Sequence, residues 1–100
     1  MLTVGLLVTL TAKAGREDDV AAFLANARSL AEQEEQTIVW YALRLDQQRF
    51  AIFDAFASAT GRDAHLRGPI AAELMRHADE LLAASPTIEQ VDVLAYTHRD

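Results

Sequence analysis

The chain has 100 residues, enough for one domain spanning residues 1–100. Lys and Arg number 9 against 15 Asp and Glu, a formal charge of −6 with no basic run, which argues against nucleic acid and against an anionic membrane surface as partners. There is no Cys, so a disulfide framework, a thiol nucleophile and a thiolate metal site are excluded.

Thr3 to Ala12 is rich in Val, Leu and Thr and reads as a strand. It is apolar, yet it lacks a basic flank and a cleavage site and is too short to span a bilayer, so a cytoplasmic location is expected. Lys13-Ala14-Gly15 is a turn. Glu17, Asp18 and Asp19 then put negative charge where a helix N-terminus is partly positive. Val20, Phe23, Leu24, Ala27, Leu30 and Ala31 follow at helical spacing, predicting one amphipathic helix to about Gln33.

Thr37 to Leu45 is β-branched and aromatic and predicts a strand. Asp46-Gln47-Gln48 is a polar turn, and Arg49 to Ala57 is the next strand, so the two form a hairpin. Thr60-Gly61-Arg62-Asp63 fits a capping box with Asp in place of Glu, opening a short helix to about Arg67. Gly68 ends it and Pro69 starts the next helix, which carries Ile70, Leu74, His77, Ala78, Leu81 and Leu82 on one side. Ser85-Pro86 stops that helix, and Thr87 to Thr97 is a last strand.

The order β-α-β-β-α-β, with the second helix in two pieces, is the split βαβ signature of a ferredoxin-like α+β domain with an antiparallel sheet. The third strand is apolar on both parities, with Phe50, Ile52 and Phe56 on one side and Ala51, Phe53 and Ala55 on the other. A strand apolar on both faces is usually covered on both. The helices cover one face, so a second copy of the chain is the expected cover for the other. The apolar fraction of 51% fits such a use of surface.

The segment IFDAFASATGRDAHLRGP, Ile52 to Pro69, resembles the antibiotic biosynthesis monooxygenase family, whose members pair into dimeric α+β barrels. The resemblance rests on Asp54, Phe56 and the run Ala64-His65-Leu66, and in element order it extends over about Thr3 to Thr97. It implies a homodimer and a cofactor-independent oxygenase acting on a small quinol or anthrone-like aromatic. The haem-degrading branch of that family is disfavoured. Its Asn, Trp and His positions fall here on Leu6, His65 and Met75.

His65 is either a general base, since imidazole titrates near neutrality, or a structural group that hydrogen-bonds a helix start. His77, on the apolar side of its helix, is either a core histidine or a cavity group. Asp54, a carboxylate in an apolar strand, must be paired or protonated. It orients a histidine, acts as an acid, or pairs with Arg44 or an Arg of a partner. Trp40 and Arg44 share a strand face, which suits either holding a flat aromatic ring or packing in an interface. With Phe56 they complete the candidate set: His65 and Asp54 for catalysis, and Trp40, Arg44, His77 and Phe56 for substrate. Three His with no helical i, i+4 pair give no metal motif, no glycine-rich loop points to a nucleotide, and no cofactor is expected. The same residues would also serve a dimeric module that binds a small apolar ligand without chemistry.

Overall fold

A computed structural model describes residues 1–99. Four antiparallel strands, β1 (Val4–Thr11), β2 (Val39–Arg44), β3 (Arg49–Phe56) and β4 (Thr87–Asp92), form one sheet in the order β2-β3-β1-β4. Four helices, α1 (Glu17–Asn26), α2 (Arg28–Glu32), α3 (Ala59–Leu66) and α4 (Pro69–Leu81), complete the fold. This is the expected α+β ferredoxin-like arrangement.

The register sorts the sheet into two faces. Leu6 lies opposite Asp54 and Val8 opposite Ile52, while Trp40 lies opposite Asp54 on the other side of β3. Since successive strand residues alternate, Leu6, Val8, Leu10, Trp40, Ala42, Arg44, Phe50, Ile52, Asp54 and Phe56 share the helix-covered face. Val8, Leu10, Phe50 and Ile52 pack there with Val20 and Leu24 of α1 and Leu74, Ala78 and Leu81 of α4 in one buried cluster. Burying side chains of this size contributes roughly 1.5–3 kcal/mol each. The opposite face carries Leu7, Val39, Tyr41, Leu43, Phe53 and Val91 with no helix over it. Tyr41 is 53% and Leu43 43% exposed.

Several boundaries differ from expectation for identifiable reasons. The first helix is two pieces. Ala27 separates them, and from there the chain tightens into i→i+3 bonds, Leu30 to Ala27, Gln33 to Leu30 and Glu34 to Ala31. The apolar face continues across the break, with Ala27 and Ala31 buried. The capping box does not form: α3 starts at Ala59, so Thr60–Asp63 lie inside it, and its N-cap Ser58 makes no side-chain cap. Gly68 and Pro69 behave as expected at the head of α4. The last strand stops at Asp92, and beyond it Val93 N–H donates to the Thr3 carbonyl and Leu2 N–H to the Tyr96 hydroxyl. Gly15, in the turn before α1, has φ 86°, a conformation that favours glycine.

Candidate functional site

Three elements converge under the sheet's helical face. β3 carries Asp54, whose strand position aims it inward among apolar neighbours; it is fully buried. α3 carries His65 on the same helix side as Gly61, and both are buried. The tightened chain after α2 delivers Glu34, whose side chain is only 12% exposed.

The imidazole is held from both ends. Nε2 lies 2.9 Å from Asp54 Oδ2, and Nδ1 lies 2.5 Å from Glu34 Oε1. The two contacts differ in kind. Nδ1 and Glu34 Oε1 meet as a hydrogen bond, whereas neither Asp54 oxygen has a directed hydrogen bond, so the Asp54 contact is a charge–charge attraction at close range. The Thr37 hydroxyl donates to Glu34 Oε1 at 2.9 Å and stands 3.4 Å from His65 Nδ1. Phe56, fully buried, sets its ring against the imidazole with centroids 5.4 Å apart. Burial alone pushes the His65 pKa down, but the neighbouring Asp54 and then Glu34 carboxylates outweigh it, and the pKa lies above the ordinary 6.5. His65 therefore holds its proton more tightly than a free histidine, with both ring nitrogens engaged.

Two cavities flank the Glu34–Thr37 turn. One, of about 320 Å³, is lined by Glu34, Thr37, Gly61, His65, Gly68 and Pro69 among others. The other, of about 430 Å³, shares Glu34, Glu35 and Thr37 and adds Ala31, Ile38 and Trp40. Glu34 thus stands in the wall of both, and its Oε2 is buried without a hydrogen-bond partner. So is Trp40 Nε1. Unsatisfied buried polar atoms are uncommon and often mark a place where a ligand or water completes the bonding.

The structure brings together His65, Asp54, Phe56 and, along the Glu34 wall, Trp40. It places Arg44 and His77 elsewhere. Arg44 shares the Trp40 face as expected, but it lies four positions further along the strand, about 13 Å away. Its guanidinium reaches the Asp46 and Gln47 carbonyls and lies 4.9 Å from the Phe50 ring centre, so the Arg44–Asp54 pair does not form. His77 does not enter the space between helices and sheet. It is 37% exposed, sits between Glu73 and Glu80 of its own helix, and tilts against Phe23. The helical phase that put it beside Leu74 and Leu81 places it at the margin of the apolar stripe. Glu34 was not singled out from the sequence. Its segment, Glu34-Glu35-Gln36, is polar and reads as a loop, and only the tertiary approach of α3 turns it inward. Among the described residues no group of three or more His, Cys, Asp or Glu is arranged to hold a metal ion, and no helix is long and apolar enough to cross a membrane.

The four-stranded antiparallel sheet with helices on one face has the fold of proteins described as antibiotic biosynthesis monooxygenases. A protein of Nitrosomonas europaea provisionally assigned to them superposes with TM-score 0.83 at 13% identity, covering 96% of this chain and 94% of that one. A further antibiotic biosynthesis monooxygenase superposes with TM-score 0.77 at 13% identity, covering 92% and 99%. The chain belongs to the same family as NE2512 of Nitrosomonas europaea, a protein of unknown function. The two are 46% identical over 100% of this chain and 97% of that one, with TM-score 0.97. No protein-family model matches the chain, and no curated protein matches its sequence.

Proposed function

We propose that the protein is a cofactor-independent monooxygenase acting on a small, electron-rich aromatic of the quinol or anthrone type, working in the cytoplasm as a homodimer. The observation that carries this reading is the chain Asp54–His65–Glu34, which runs from the core to a carboxylate in a cavity wall beside Trp40. The aromatic ring lies in the Glu34–Trp40 cleft, where the indole offers a flat apolar face. Glu34 accepts the acidic proton of the ligand. His65 acts through Glu34. Its ring nitrogens are taken and its proton is firmly held, so it positions Glu34 and offsets part of the charge of the two carboxylates, with Asp54 anchoring it behind.

For an anthrone-like substrate the chemistry balances without another reductant. The ring CH2 loses a proton to Glu34, and the carbanion reduces O2 and forms a carbon–oxygen bond. The resulting peroxide takes the proton back. Loss of the second C–H proton as the O–O bond breaks leaves a carbonyl and releases water. One oxygen atom stays in the product and the other leaves as water, so product formed under 18O2 carries one labelled oxygen. Unlabelled product would refute the proposal.

The dimer proposal rests on the uncovered face of the sheet, where Tyr41 and Leu43 join Leu7, Val39, Phe53 and Val91. Covering that face with a second copy removes a contiguous apolar surface from water. A second reading, a dimeric module that binds an aromatic ligand without turnover, is favoured by one observation: Glu34 Oε2 is enclosed and both His65 nitrogens are occupied. Trp40 is the only tryptophan. Its fluorescence therefore reports binding separately from oxygen consumption.

A further inference from the structure

Gly68 sits at the N-cap of α4 with φ −86° and ψ −179°, an extended conformation open to any residue. Backbone freedom therefore does not explain a glycine there. Room does. A Cβ at residue 68 would lie 2.8 Å from Glu34 Oε2, 3.2 Å from the His65 backbone carbonyl oxygen and 3.3 Å from Glu34 Cδ, so the closest contact is with the Glu34 carboxylate. The Glu34 carboxylate fills the space that a capping side chain of α4 would otherwise use, and α4 has no side-chain cap of its own. It stands there between the His65 imidazole and the partly positive head of a helix of 13 residues. On the other side the Thr37 hydroxyl fixes Oε1.

We propose that Gly68 is the positioning residue for Glu34: its missing side chain makes the seat in which the Glu34 carboxylate is pressed onto His65 and held at the cavity wall. The inference extends the reading of Glu34 as proton acceptor, but the seating itself does not depend on that reading. In Gly68→Ala the severe contact, at 2.8 Å, falls on the far end of a flexible side chain, so Glu34 swings aside, while the 3.2 Å approach to the His65 carbonyl asks only a few tenths of an ångström of the backbone and the fold persists.

The test is a cycle of Gly68→Ala, Glu34→Ala and the double variant, each followed by NMR titration of the His65 imidazole and by urea unfolding. In Gly68→Ala the His65 midpoint moves down toward that of Glu34→Ala, and stability falls. In the Glu34→Ala background, adding Gly68→Ala moves the midpoint no further. A midpoint unchanged by Gly68→Ala overturns the proposal. So does a shift equally large with and without Glu34, because a backbone or capping effect of residue 68 would act in both backgrounds. Absence of oxygenase activity in every variant would count against the functional reading alone, since the titration reads the seat directly.

Discussion

Replacing His65 with alanine removes the counter-charge from Asp54, which has no exposed surface and, among the described residues, no other ion-pair partner. Breaking a buried pair by deleting one member costs about 3–5 kcal/mol, because the remaining charge is left uncompensated. The loss of the imidazole packed on Phe56 acts in the same direction. Against a total stability of roughly 5–15 kcal/mol for a domain of this kind, that is a large share. It corresponds to a fall in Tm on the order of 20 °C. Urea and thermal unfolding followed by circular dichroism, near the ordinary histidine midpoint, give the number. A deficit under about 1 kcal/mol, the range of an exposed ion pair, would refute the view that His65 neutralises a buried acid.

The wild-type protein should respond to pH through the same residue. Its His65 pKa is raised above 6.5, so the stabilisation is complete below 6.5 and is lost as pH rises through the folded-state midpoint; unfolding free energy that is level across that range would contradict this. Asp54→Asn keeps the shape and removes the charge, so NMR titration should find the His65 midpoint lower than in the wild type. If the proposed dimer forms through the uncovered sheet face, the wild type should run as a dimer and Tyr41→Glu as a monomer in size-exclusion chromatography with light scattering, with the His65 titration unchanged. An aromatic ligand should quench Trp40 fluorescence, and the quenching should persist in Glu34→Gln, which keeps the cleft but removes the charge.

Much of the fold is written locally. The alternation of Phe50, Ile52 and Phe56 with Ala51, Phe53 and Ala55 told both that β3 is a strand and that both of its faces are apolar. The i, i+3, i+4 pattern of Ile70, Leu74, Ala78 and Leu81 fixed the inner side of α4, and these four are buried. Asp54 stood out because a carboxylate in such a strand needs a partner, and His65 because of the run it belongs to. What could not be read was which groups meet. The Asp54 partner depends on how α3 docks against β3, a long-range matter, so the residues alone leave His65, His77, Arg44 and an Arg of a partner open. Glu34 was hidden for the same reason, since nothing in Glu34-Glu35-Gln36 distinguishes one solvated acid from one turned inward. The end of β4 was overrun because Leu94, Ala95 and Tyr96 continue its composition, whereas pairing with β1 ends at Asp92 opposite Val4.

Oxygen consumption tests the central claim most directly. The purified, metal-free protein would be given a panel of hydroquinones and anthrones beside its Glu34→Gln variant, with the fold of both checked by circular dichroism. Uptake above the spontaneous rate in the wild type, lost in a folded Glu34→Gln, is the predicted result. Uptake that is unchanged in the variant, or no uptake with any substrate that quenches Trp40, would contradict the assignment of a Glu34-dependent oxygenase.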